Sequence, residues 1–279
     1  MEALLALAAG DAATAARAAT AAGPADRLAA VLAAHLDRPA GPGVYDQPRA
    51  FAAFISGGGN TALYASTIAA LADWHRGRGT VALADIGCGD GRVTAGSVPP
   101  TCRRVDLVEP SAALLAEAGS RLAGTAETVV PHAATLTGWL TGLPDGVARD
   151  AAQATFALHA VEPAERRRAL ADLAGHVGAL AVAEFDVPDV ADRGADHAAY
   201  AAERYRRGLA EYPDGSDVGP GFLVPVLVGQ FDPGRPRLTW EQPLAAWVAD
   251  LAGAGWTIES TTMLDDYWWA PAHLVLARS

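Results

Sequence analysis

The sequence contains no lysine; all 21 of its Lys-plus-Arg residues are arginine. Three chemistries fall with it, because each needs a lysine amine: the phosphate-gripping lysine of a P-loop, the lysine that forms a Schiff base with pyridoxal phosphate, and the strand lysine of protein kinases. Cysteine is nearly as scarce. Cys88 and Cys102 are the only two, too few and too close for a disulfide framework or a CxxC-type zinc site, and a reducing compartment is expected. Asn60 is the only asparagine. The opening stretch, Met1 to Ala22, is rich in Ala and Leu but has no long unbroken apolar run, no basic start, and carries Glu2 and Asp11. It reads as a helix of a cytoplasmic protein, not as an export signal. Excess positive charge is also missing. The formal net charge of −11 removes the attraction that gives nucleic-acid binders most of their non-specific affinity. Neither nucleic acid nor a membrane is an expected partner.

What is present suits one large domain, or one domain with an appended piece, of 279 residues. Glu2 to Leu36 reads as two Ala-rich helices broken around Ala22-Gly23-Pro24, followed by a linker at Pro39 to Gly43. A helix from Thr61 to Arg76 follows, with Asn60 placed to cap it. From Val81 the pattern changes to short apolar runs separated by helical stretches. Val81–Ile86, Arg104–Val108, Glu127–Val130, Ala151–Leu158 and Ala179–Phe185 are the expected strands, and their alternation with helices predicts an open, doubly wound α/β sheet. Thr239 to Gln242 has capping-box spacing for a helix to Ala252, and two late strands, Thr257–Met263 and Ala272–Ala277, bring the sheet to seven. The expected organisation is an N-terminal helical cap and linker (1–44), a Rossmann-like core (45–187), an insertion (188–238) placed where a lid over the ligand crevice would sit, and a C-terminal helix and strand pair (239–279).

The segment Asp85-Ile86-Gly87-Cys88-Gly89-Asp90-Gly91 carries glycine at every second position after a buried strand. Such a backbone turns sharply and comes close to a ligand where a β-carbon would collide. About twenty residues on, Val108-Glu109-Pro110 ends the next strand with an acid, the place from which a carboxylate accepts both ribose hydroxyls. The plainer reading is a Gly-rich turn with a surface acid; the strand before, the helix after and the spacing to Glu109 weigh against it.

Asp85 to Gly91 resembles the first signature of the class I S-adenosylmethionine-dependent methyltransferases, and Glu109 matches their second. The likeness covers about Tyr45 to Ser279. An NAD-binding fingerprint places its third glycine one position later, where Arg92 stands. The resemblance implies that Asp85 helps hold the methionine amino group, that Gly87 and Gly89 pass under the cofactor, and that Glu109 grips the ribose. Cys88, Pro110 and Phe156 join the expected cofactor contacts, as does Tyr45, in a segment such proteins often fold over the cofactor. Many relatives have an acid near the adenine after the third strand; here His132 and Ala133 inherit that place.

Methyl transfer from a sulfonium needs an acceptor held close in a water-poor pocket, and a base only where the acceptor must lose a proton. His159, ending the fourth strand, is the best-placed catalytic candidate, with pocket shaping as the alternative role. Glu184 and Asp186 end the fifth strand; the plainer expectation is that one faces solvent and the other caps the next turn. No acid ends the fourth strand, so no metal is expected. The aromatic run Tyr267-Trp268-Trp269 suits an acceptor, a homodimer partner or ordinary packing. The resulting expectation is a methyltransferase acting on O, N or C of a small organic molecule in specialised metabolism, with S-adenosylhomocysteine as product. A binding protein or cyclase that keeps the adenosyl ligand without transferring methyl is the alternative, and an NAD-linked oxidoreductase a third.

Overall fold

A computed structural model of the chain describes residues 1–37, 48–144 and 148–279. Contacts divide it into two compact units: Met1–Ala62 with Asp189–Leu238 and Tyr267–Ala270, and Leu63–Pro188 with Thr239–Asp266 and Pro271–Ser279. The first unit begins with α1 (Glu2–Ala8), α2 (Ala12–Ala21), α3 (Arg27–Leu36) and α4 (Pro48–Ile55), and holds the first residues of α5 (Asn60–Arg78). Three helices stand where the Ala-rich pattern predicted two. The extra break falls at Asp11, whose carboxylate accepts the Thr14 N–H at 2.8 Å and starts a new helix inside what reads as one uniform run.

The second unit is built on a seven-stranded sheet. Its strands are β1 (Ala82–Ile86), β2 (Arg104–Val108), β3 (Thr128–His132), β4 (Ala151–Thr155), β5 (Ala179–Phe185), β6 (Thr257–Asp265) and β7 (Ala272–Arg278), in the order β3-β2-β1-β4-β5-β7-β6. The first five run parallel, and β7 enters antiparallel between β5 and β6. Alanine is a poor strand former, yet β4 reads Ala-Ala-Gln-Ala-Thr. Burial on both faces overrides propensity. On one face Leu83, Val105, Leu107 and Ala181 pack against Leu71 and Trp74 of α5, Val93 of α6 (Arg92–Ser97) and Leu115 of α7 (Ala112–Arg121). On the other, Ile86, Val108, Ala152 and Val182 meet Trp139 of α8 (Leu136–Thr141) and Leu170 of α9 (Pro163–Ala174).

Strand bounds shift by a residue or more in several places, and two of the shifts have a clear local cause. β3 runs on to His132 through Pro131, which an edge strand tolerates because its missing N–H interrupts no ladder on the open side. β4 stops at Thr155 rather than Leu158, because Phe156 takes a left-handed backbone (φ 52°) and turns the chain into a 3-10 turn at Leu158–Ala160.

The insertion forms α10 (Ala195–Ala210) and a π-helical turn, Gly219–Leu223, continuing into α11 (Val224–Phe231). Within the helical unit Arg27 closes the end of α10, donating to the carbonyls of Leu209 (2.6 Å), Tyr212 (2.9 Å) and Pro213 (2.8 Å). The last helix, α12 (Leu244–Gly253), starts later than the capping-box spacing predicts. Gln242 is bridged to Asp186, and Asp186 Oδ1 accepts the Leu244 N–H at 2.7 Å, supplying the cap from another strand. Among the described residues no helix is long and apolar enough to cross a membrane.

Candidate functional site

The strand order reverses between β1 and β4, and in such sheets ligands bind outside the carboxyl ends of the strands at that point. The loop after β1 is folded over the end of β2, with the N–H groups of Gly87 (2.8 Å) and Cys88 (3.2 Å) both donating to Val108 O. Gly87 has φ +67°, and a Cβ there would fall 2.4 Å from the Ala157 Cβ, so only glycine passes between the ends of β1 and β4. Gly89 is different. Its φ is +53°, but nothing lies within 4 Å of where its Cβ would be, so bare backbone faces open space. Glu109, 9% exposed, sits against this loop: Oε2 accepts the Gly89 N–H at 3.2 Å and Oε1 the Ser111 N–H at 2.9 Å. Each oxygen keeps a further lone pair for a hydroxyl. Pro110 follows, exposed.

Asp85 lies under the loop and is 1% exposed. One carboxylate oxygen takes the Thr94 hydroxyl, and Oδ1 has no partner. Burial raises the group to about 6, opposed by the Thr94 hydroxyl and the Gln153 amide and reinforced by the Glu109 charge. Cys88 is buried as well, and burial together with the charges of Asp85 and Glu109 keeps it a thiol. Asp90 is already neutralised by Arg92 (Nη2 at 2.8 Å) and Arg121 (Nη2 at 2.9 Å).

His132 contributes its main chain here, with its carbonyl accepting the Glu109 N–H at 3.1 Å. Its ring turns to the sheet, where Nε2 lies 2.8 Å from Asp106 Oδ1. Asp106 is fully buried, and the hydrogen bonds of Arg104, Arg149 and His132 outweigh that burial and hold its carboxyl well below the usual range. Ala133 is exposed beside it. Tyr45 lies outside the described residues.

At the ends of β4 and β5 a second group forms. The expectation that one of the two acids at the end of β5 faces solvent is overturned: Glu184 is 3% exposed, and its Oε2 and Oε1 hold His159 at Nδ1 (2.9 Å) and at the main-chain N–H (3.1 Å). Asp186 caps α12 rather than facing solvent. Burial alone lowers the His159 ring, but the charge and hydrogen bond of Glu184 outweigh it and raise the ring to about 9. Phe156, strained in the left-handed region, stacks on Phe185 at 4.8 Å. Arg166 fixes the 3-10 turn. Fully buried, it donates to Leu158 O (3.2 Å), Val161 O (3.3 Å) and Trp240 O (3.2 Å), while the Trp240 N–H caps His159 O at 2.6 Å.

Asn60 is not a helix cap. In the helical unit its amide donates to Phe54 O (3.0 Å) and Tyr212 Oη (3.2 Å) and accepts from Tyr267 Oη (3.0 Å). Tyr205, Trp268 and Trp269 are buried against one another there, which is packing. Arg166, Thr94 and Gln153 went unnoticed in the sequence. None stands in a motif, and the only available signal was a polar residue, Gln153, inside an otherwise apolar strand.

No family model matches the chain, and no curated protein matches it. Solved structures do. Magnesium protoporphyrin IX methyltransferase from Synechocystis PCC 6803 with bound S-adenosylhomocysteine is 16% identical, with 79% of this chain and 85% of that one covered at a TM-score of 0.51. The methyltransferase domain of bacterial CtHen1-CN is 11% identical, with 78% of this chain and 100% of that one covered, also at 0.51. Mitomycin 7-O-methyltransferase is 20% identical at a TM-score of 0.49; 79% of this chain matches, spanning 55% of the length of that protein. What these structures share with the chain is the fold, a Rossmann-like parallel sheet closed by a late antiparallel strand pair.

Proposed function

We propose that the α/β unit binds S-adenosylmethionine at the carboxyl ends of β1 and β2 and that the chain transfers its methyl group to a hydroxyl of a small organic molecule. One observation carries the reading: a buried carboxylate with an unpaired oxygen, Asp85, lies beneath a glycine loop whose Gly89 faces open space, beside the carboxylate of Glu109. These residues fit the group. The cofactor carries an ammonium, a sulfonium and a ribose diol, and the loop offers two acids and a backbone without side chains. Asp85 would attract the ammonium, Glu109 would accept the ribose hydroxyls, and Gly87, Cys88 and Gly89 would lie under the adenosyl group. Pro110, Phe156 and the His132–Ala133 main chain would border it.

When bound, the cofactor supplies a methyl group open to in-line displacement. A hydroxyl acceptor must shed its proton on attack, and His159 is the group to take it. Glu184 binds Nδ1 and leaves Nε2 as the nitrogen that would meet the acceptor. The same carboxylate keeps the ring charged until about pH 9, so base function grows as pH rises. The dyad is what favours a hydroxyl over an amine, which can attack without prior loss of a proton.

Incubation with methyl-labelled S-adenosylmethionine and a panel of phenols, alcohols, amines and carboxylic acids tests this. The expected result is a labelled ether whose rate of formation climbs toward pH 9 and collapses in His159→Gln. Cofactor binding with no product on any acceptor would instead support a non-transferring adenosyl-binding protein. No cofactor binding would end both readings.

A further inference from the structure

On the sheet face covered by α5, α6 and α7, a line of buried polar side chains runs from the end of α5 to the glycine loop. Thr80 Oγ1 lies 3.2 Å from His75 Nδ1, and His75 Nε2 lies 2.8 Å from Gln153 Oε1. Gln153 stands directly opposite Asp85 in the β1–β4 register, and Thr94 holds the far oxygen of Asp85. All five side chains are 1% exposed or less. Burying so many polar groups is costly unless they are paired, and the neighbouring positions Leu83 and Ala151 show that apolar residues pack on this face. A polar line here calls for a use.

Its direction can be worked out. Burial lowers His75 below its ordinary value, against the pull of the Gln153 hydrogen bond, so the ring is neutral and has one donor and one acceptor. Gln153 Oε1 only accepts, so the proton sits on His75 Nε2, and Nδ1 accepts from the Thr80 hydroxyl. The amide is thereby fixed with its oxygen toward His75 and its NH2 toward Asp85. Every donor in the line points toward the carboxylate. Asp85 Oδ1 and Gln153 Nε2 are the two atoms of the line left without a full hydrogen bond.

We infer that Gln153, oriented by His75, is a positioning residue for Asp85: it keeps that carboxylate charged beneath the glycine loop, where it attracts the ammonium group of the cofactor. The inference rests on the cofactor reading above. The groups facing Asp85 are few. Thr94 donates to it, the Gln153 amide faces it from β4 short of a full hydrogen bond, Leu107 lies opposite on β2, Glu109 repels it, Cys88 is a neutral thiol, and Asp90 is neutralised by its arginines. With the carboxyl raised to about 6, its charge is present above that pH and lost as pH falls through it.

The test is titration calorimetry with two nucleosides, S-adenosylhomocysteine and methylthioadenosine, which lacks the amino-acid part, from about pH 5 to about pH 8. For the wild-type chain, affinity for S-adenosylhomocysteine is expected to fall as pH drops through about 6, while that for methylthioadenosine stays level. Gln153→Leu is expected to weaken S-adenosylhomocysteine roughly tenfold or more, shift its midpoint to higher pH, and leave methylthioadenosine unchanged. A level S-adenosylhomocysteine profile in the wild type overturns the inference even if the variant does not fold, as does a Gln153→Leu chain that keeps the wild-type affinity and midpoint. Wild-type binding of neither nucleoside defeats the cofactor reading and takes the inference with it.

Discussion

Gly87 is squeezed between two strand ends, and Gly87→Ala would drive a methyl group to 2.4 Å from the Ala157 Cβ at a backbone angle that disfavours any side chain. A loss of about 1–3 kcal/mol is expected from the overpacking, measured as a fall in the denaturant midpoint at unchanged slope. At the other cluster, the sign of the pH effect follows from the raised ring of His159. Its folded value, about 9, exceeds the unfolded one, so the stability from the His159–Glu184 pair is fully present below the unfolded pKa of about 6.5 and is lost as pH rises through about 9. Glu184→Gln removes that contribution. Its melting temperature should therefore lie furthest below wild type at about pH 6 and approach it at high pH, while any base-dependent rate should move its inflection to lower pH.

At the scale of the element, α12 and the 3-10 turn show what a sequence pattern leaves out. The strands were readable because buried apolar runs alternate with helical ones, and Asp85 to Gly91 with Glu109 stood out because spacing alone marks such a loop. Local capping chemistry was less readable. Thr239 to Gln242 has the spacing of a capping box, but Asp186, just past β5, caps the helix instead; Asn60 has the character of a cap yet joins Tyr212 and Tyr267. The competing partners lie far away in sequence, so no local pattern records them. Asp186→Ala is expected to cost about 1 kcal/mol, the usual value of a lost N-cap, read from chemical denaturation. Arg166→Met should cost more, on the order of 3–5 kcal/mol, because it strips a fully buried guanidinium from three carbonyls, Gln242 (2.7 Å) and Asp250 (3.4 Å). It should also loosen His159, whose turn it fixes.

For the molecule as a whole, two buried polar groups, one in each unit, are used differently. In the helical unit every polar side-chain atom of Asn60 has a partner, a structural arrangement. In the α/β unit the Asp85 carboxylate has an oxygen to spare beneath an open glycine backbone, with a second acid alongside. Fold alone does not settle activity; the proposed binding of a cationic nucleoside rests on the leftover acceptor beside the bare backbone. The most direct measurement is calorimetric titration of S-adenosylmethionine into the wild-type chain and into Glu109→Ala. Saturable binding at one site in the wild type, abolished in a variant that still melts cooperatively, is the expected result; a wild-type chain that takes up no S-adenosylmethionine, or a Glu109→Ala chain that binds it undiminished, would contradict it.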